Sequence, residues 1–265
     1  MYSSAGLWQA GEAVIGRFLR GLLLVLLIVA VLVAFFPASW AWRLARDHAP
    51  QLQVGALHGS VWNGRAEDVV YAGMPLGEVD WTLSRLAVFG HLRLDARVDG
   101  PLLRGDGRLQ RRGDVLIGRD LHAVVHAQRL PITVGSPGLQ PMGDVEIDIA
   151  RLHVRDRWPQ QLDGTVSWQA ALADAQGPVS LGRLHARLHE QAGTTLIATL
   201  GDDGGPLALS GQAQVSLLGW RLDARLQARD GATRVRQVLS HLGPLQQDGT
   251  LIVRRQSGAL MGAAR

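Results

Sequence analysis

Alternation of apolar and charged residues is the feature that most narrows what this chain can form. From His91 to Asp99 (HLRLDARVD), Leu92, Leu94, Ala96 and Val98 fall on one side of an extended chain, and Arg93, Asp95, Arg97 and Asp99 on the other. A period of two belongs to a half-buried strand, whereas a helix would repeat at about 3.6. The pattern returns in Met142 to Ala150, Val179 to His189 and Trp220 to Ala228, and more weakly at Leu102 to Gln110, Val115 to Ala127, Thr165 to Leu172, Thr194 to Leu200, Leu207 to Val215 and Thr250 to Val253. Clusters such as Asp99-Gly100-Pro101 and Gly201 to Pro206 separate these runs, which accounts for much of the chain's 32 glycines. Many strands with short links and one polar face predict a mainly β protein whose antiparallel sheet curves and twists into an open groove or half-barrel. One short C-terminal helix is expected at Ala232 to Leu242, with Val235, Val238, Leu239 and Leu242 at helical spacing and Gly243-Pro244 behind it. A short turn is expected at Leu83 to Phe89. Strands and helices do not alternate, which argues against doubly wound folds and (β/α) barrels.

The N-terminus reads differently. Gly21 to Trp42 carries no charge over 22 residues, and Leu22 to Phe36 is almost purely aliphatic. At about 1.5 Å per helical residue the stretch spans about 30 Å, enough to cross a bilayer. Arg17 and Arg20 precede it, which puts residues 1–20 in the cytoplasm. Phe36, Trp40 and Trp42 would anchor the far interface. A cleaved signal peptide is the competing reading, with Ser39-Trp40-Ala41 as its cleavage site; the long apolar core and the two tryptophans favour a retained span. The expected organisation is a cytoplasmic segment 1–20, a transmembrane helix 21–42, a polar connection 43–53 and a β domain 54–265 on the outer side.

Charge and chemistry exclude more than they suggest. All 27 basic residues are arginines, set against 23 acids, so the sequence pI of 10.7 reflects missing lysine and cysteine rather than a large surplus of positive charge. Beyond the span the balance is 25 arginines to 22 acids, too even for binding nucleic acid through its phosphates. Without cysteine there is no disulfide, zinc–thiolate site or cysteine nucleophile. His122 and His126, like His185 and His189, are four apart, but on a strand that is about 13 Å, which suits no single metal. Asp144, Glu146 and Asp148 alternate with Val145, Ile147 and Ile149 as a solvent-facing strand would. Arg93, Arg97, Arg221 and Arg225 interleave with Asp95 and Asp223, and cross-strand ion pairs explain them best. No motif for a catalytic nucleophile, a metalloprotease or a phosphate loop occurs, so no catalytic, cofactor or metal residues are assigned.

Two echoes run through the chain. His91 to Asp99 aligns almost letter for letter with Trp220 to Ala228, and Gly77-Glu78-Val79-Asp80-Trp81 rhymes with Gly164-Thr165-Val166-Ser167-Trp168. They mark either a duplicated sheet unit or amphipathic strands drawing on the same few residues.

The most specific stretch is Leu57-His58-Gly59-Ser60-Val61-Trp62-Asn63-Gly64-Arg65, followed by Leu76-Gly77-Glu78-Val79-Asp80-Trp81. Gly59 and Gly64 are expected to bracket a strand whose Trp62 packs inward, with a second strand ending on Trp81, so that the two indoles share a core layer. This order of motifs, an anchor, a GxVWxG element and an LGxVxW strand, resembles the protein N family of the bacterial type II, or general, secretion pathway. The likeness continues at Leu218-Gly219-Trp220-Arg221-Leu222-Asp223 and at Leu242-Gly243-Pro244, and lapses between about Pro131 and Gly205. It implies a non-catalytic accessory component in the inner membrane. Its periplasmic β domain would touch assembly-platform or secretin subunits, and Gly59, Val61, Trp62, Gly64, Gly77, Trp81 and Trp220 would be structural motif residues. The style of the strands is also similar to AsmA-like β-groove proteins, which implies the alternative of an envelope protein holding or transferring lipid in its groove.

Overall fold

The computed structural model describes residues 36–129, 139–156, 158–174, 176–191 and 195–258. The expected cytoplasmic segment and nearly all of the expected span, Leu22 included, lie outside the described residues. Among those described, no helix is long and apolar enough to cross a membrane.

The described chain opens on extended Phe36 and Pro37, then forms helix α1 (Ala38–Ala45), a 3₁₀ turn (Arg46–His48) and three strands: β1 (Leu52–Gln53), β2 (Ala56–Gly59) and β3 (Asn63–Tyr71). Strand β4 (Met74–Leu83) leads through a 3₁₀ turn (Arg85–Phe89) to β5 (His91–Asp99), β6 (Leu103–Arg112), β7 (Val115–His126), β8 (Gln140–Met142), β9 (Asp144–Arg155) and β10 (Trp158–Asp174). Then follow β11 (Gly177–Gln191), β12 (Thr195–Asp202), β13 (Leu207–Ser216), β14 (Gly219–Ala228), helix α2 (Thr233–Leu242) and β15 (Thr250–Gly258). All of the strands belong to one antiparallel sheet, in which β3 to β15 lie side by side in chain order except that β8 pairs with β10. The two ends of the sheet, β1 and β15, do not meet, so it is an open meander.

Register turns the alternation into two faces. One row of directly opposed residues crosses thirteen strands as Leu57, Ala66, Val79, Val98, Gly105, Ala123, Ile147, Val166, Ala186, Leu200, Gly211, Ala224 and Val253. One residue along, on the other face, the row reads Arg65, Asp80, Arg97, Asp106, His122, Asp148, Thr165, Arg187. Small residues in the apolar row mark where neighbouring backbones crowd. A Cβ on Gly211 would lie 2.5 Å from the Asp223 carbonyl oxygen, and one on Gly105 would lie 2.6 Å from that of His122.

The densest core sits at the C-terminal end. Helix α2 lays Val235, Val238 and Leu239 on the apolar face, where they meet Leu172, Leu181, Leu207 and Leu251. Each fully buried aliphatic side chain contributes about 1.5–3 kcal/mol. A polar clamp holds the approach to the helix: Arg229 Nη2 donates to Asp202 Oδ1 at 2.6 Å, and Asp202 also accepts from the backbone N–H groups of Leu209 and Gly204. Burial alone would push the Asp202 carboxyl up, but these donors hold it below the ordinary carboxylate range. Arg234 of α2 reaches Asp174 at 3.1 Å.

The expected helix is present and begins one residue later, at Thr233. Gly243, which ends it, is extended at φ 169°. The expected turn at Leu83 to Phe89 is the 3₁₀ segment, with Ser84 Oγ accepting from Leu86 N–H and Gly90 closing it in the left-handed region at φ 83°. Leu239, only 1% exposed, is central to the packing of α2, and Leu239→Ala is expected to cost about 2–5 kcal/mol in urea unfolding of the full chain.

Candidate functional site: an apolar trough roofed at both ends

The apolar face is covered at its C-terminal end by α2 and at its N-terminal end by α1. Between them, Leu92, Leu94 and Val98 of β5, Leu116 and Val125 of β7 and Ile147 and Ile149 of β9 remain only partly buried. The sheet is therefore a trough with an apolar floor.

The N-terminal roof overhangs an open cavity of about 440 Å³. Ala38, Ala41 and Trp42 of α1 form one wall, and Leu57, Val61, Val79, Trp81 and Val98 are among the residues of the floor. The spacing of Ala38, Ala41 and Trp42 puts them on one helix face, so Trp42 turns toward the sheet, while Trp40 is 61% exposed on the other side. The stretch read as a polar connection also contributes Leu52, the first residue of β1. Ala38, Ala41 and Trp42 themselves fall at the end of the stretch read as a span, and their helical spacing is the sequence signal of this roof.

The motif residues build this end. Gly59 and Gly64 do not bracket a strand: they are opposite partners at the close of the β2–β3 hairpin, and Ser60, Val61 and Trp62 form its loop. The physical reason is Gly59, which turns the chain at φ 83°, where an added Cβ would lie 2.5 Å from the Asn63 carbonyl oxygen. The loop is a junction of backbone bonds. Val61 N–H donates to the Phe36 carbonyl at 3.0 Å, Leu83 N–H donates to the Trp62 carbonyl at 2.6 Å, and the Trp81 indole N–H donates to the Val61 carbonyl at 3.0 Å. The Trp81 ring lies on Gly64, whose missing Cβ would sit 2.5 Å from Cζ2. Trp62 is half-buried in the loop.

Gly77, at φ 78°, stands at the other end of β4 against the Asp99 carbonyl. Trp220, 37% exposed, lies on β14 beside the far edge of the sheet. The structure thus joins Phe36, Gly59, Val61, Trp62, Gly64 and Trp81 at one end and leaves Gly77 and Trp220 outside that group.

The polar face carries paired charges. His122 Nδ1 lies 2.6 Å from Asp148 Oδ1, and His126 Nδ1 lies 2.6 Å from Asp144 Oδ1, so the two histidines of β7 are taken up by carboxylates of the ladder on β9. Arg65 pairs with Asp80 at 2.7 Å, and Arg254 with Asp223 at 3.6 Å. No group of three or more His, Cys, Asp or Glu among the described residues could hold a metal ion.

Two predictions follow from this geometry. Gly64→Ala is expected to lower stability by about 1–3 kcal/mol, because the new methyl meets the Trp81 ring and the His58 and Ser60 carbonyls. The hydrogen bond to Asp148 raises the His122 pKa above 6.5, against the opposing effect of burial. The protonated form is therefore favoured by folding: its contribution is present below pH 6.5 and is lost as pH rises through the folded-state value. In proton NMR, His122 is expected to titrate above 6.5 and to return toward it in Asp148→Asn. Both side chains are largely exposed, so the change in overall stability should be small.

Comparison with known proteins accords with this architecture. The family model described as Type II secretion system (T2SS), protein N matches residues 50–254, from just before β1 into β15. The type II secretion system protein N of Vibrio cholerae serotype O1 is 28% identical over 176 residues, a match covering 61% of this chain and 66% of the relative. The chain thus spans just under two thirds of that relative's length. No solved structure matches. With the match running from one edge of the sheet to the other, the chain belongs to the type II secretion system protein N family.

Proposed function

We propose that this chain is a non-catalytic accessory component of the type II secretion machinery, held in the inner membrane by the part of the uncharged stretch 21–42 that precedes α1, with its sheet in the periplasm contacting assembly-platform or secretin subunits. The observation that carries the reading is the family match across the whole sheet. The two sheet edges support a role in protein contact. The N-terminal edge is blunted by β1 and β2, of two and four residues, with α1 beside them. At the other edge β15 presents nine residues without proline, and among the described residues no strand pairs with its outer side. Alternate N–H and C=O groups there are available to an added strand. A second copy paired antiparallel about Arg254 would set arginine against arginine, so the edge suits a different chain.

A photo-crosslinking residue at Gln256, introduced into the full chain in its native membrane, is expected to capture a secretin or platform subunit. Absence of such products from cells that still secrete would count against contact through this edge.

The alternative reading, an envelope protein holding lipid in the trough, is favoured by one observation: thirteen apolar residues line the cavity under α1. Native mass spectrometry of the detergent-extracted protein separates the two. Phospholipid retained at fixed stoichiometry supports the lipid reading, and co-purified secretion subunits without lipid support the first.

A further inference from the structure

Because the sheet is an antiparallel meander, its turns fall on two rims. One rim carries the junction at Ser60 to Trp62, where the chain arrives through Phe36 and Pro37, together with the β4–β5, β6–β7, β9–β10 and β13–β14 connections. The other carries the turns at Gly73, Pro101, Gln176 and Gly204, and helix α2 follows from it.

The rims differ in chemistry. The β13–β14 turn consists of Leu217 and Leu218, in a place where two-residue hairpins ordinarily use Asn, Asp or Gly. Leu218 is 85% exposed, and its N–H is held by Ser216 Oγ, so the turn is built to hold the side chain out. Leu86, in the β4–β5 turn of the same rim, is 61% exposed. Arg85, Arg112 and Arg155 stand exposed near these tips, with Asp114 and Asp156. Along the opposite rim the described residues include Asp99 paired with Arg104 at 2.9 Å, Asp174 paired with Arg234 at 3.1 Å, Asp203, Asp230 and Asp248, with Arg129 and Arg229. An anionic surface would therefore meet exposed leucines and arginines that form no ion pair among the described residues on one rim, and carboxylates partly neutralised by arginine on the other.

We propose that the rim bearing Leu86, Leu217 and Leu218 rests on the anionic lipid surface of the membrane, standing the strands away from the bilayer and the opposite rim and α2 farthest from it. The inference rests on the anchoring proposed above, since the uncharged stretch ends at this rim. Apolar tips entering the headgroup region and arginines beside them are the two features such a surface selects.

The chain has no cysteine, so an introduced one is unique. Full-length Leu218→Cys and Gln176→Cys, each carrying an environment-sensitive fluorophore, are reconstituted into vesicles containing phosphatidylglycerol and a headgroup-level lipid quencher. The label at 218 is expected to be quenched several times more strongly than the label at 176. Adding Arg112→Gln should lower the docked-to-free ratio of the tip about fivefold, the worth of one arginine at an anionic leaflet. If the chain floats with the vesicles while the label at 218 is as wet as that at 176, rim docking is overturned and the anchor stands. A chain that does not float overturns both. A tip that stays wet on vesicles and becomes buried only when secretion subunits are added assigns these residues to a protein partner and also overturns the proposal.

Discussion

Cross-strand register is the constraint on which the rest of the molecule depends. A shift of one residue between any two strands would place Arg97 or Asp106 in line with Val79 and Ala123 and interrupt both faces at once. The apolar row supplies most of the penalty against such a slip, because it would put charges on the trough floor. The polar row adds direction: Arg65 against Asp80, Asp80 against Arg97, Arg97 against Asp106 and His122 against Asp148 each set unlike partners side by side. Individually these exposed pairs are worth about 1 kcal/mol or less. Their value is that a slipped register exchanges them for mismatched neighbours.

A sheet of this kind has no second layer along its middle, so its ends must be finished by other means. The two helices do this differently. Helix α2 fills its end with Val235, Val238 and Leu239 and leaves a closed core, whereas α1 is shorter and spans its end over a cavity. The hairpin loop at Ser60 to Trp62 keeps that roof in place, since the backbone at Phe36, the indole of Trp81 and the end of β4 all bond to it. Gly64 is required there because the Trp81 ring takes the volume of a side chain. The same device recurs on β10, where the Trp168 indole N–H donates to the Met142 carbonyl at 3.0 Å and Gly143 lies beside it.

Much of this was legible from the amino-acid pattern. Strands β5, β6, β7, β9, β11, β13 and β14 follow from period two, and α2 from its 3.6-residue stripe. The first half of β10 was not, because Trp158-Pro159-Gln160-Gln161 does not alternate and proline there argues against a strand; a register shift beside Pro159 accommodates it. Val61 and Trp62 read as strand residues because two glycines frame an apolar pair, and only the left-handed backbone of Gly59 shows that the pair caps a hairpin. The echoes divide. Trp81 and Trp168 play the same local role, but they are five strands apart in the sheet, whereas the like segments of β5 and β14 are eight apart. No single shift of the sheet superposes both pairs, so similar chemistry in similar strands accounts for the β5–β14 likeness.

The unequal edges and rims bear on how such a sheet stays a single molecule. Long flat edges invite pairing, and β15 is the described edge without a short strand or helix over it. Its arginines discourage a second copy at the register where Arg254 would face itself, yet leave the backbone open to a chain of other composition. The apolar tips at Leu86 and Leu218 lie at a right angle to that edge, along the rim where the uncharged stretch ends. A sheet standing on that rim would keep β15 and the mouth of the trough clear of the lipid. Rim contact and edge pairing could then take place together, since neither uses the other's residues.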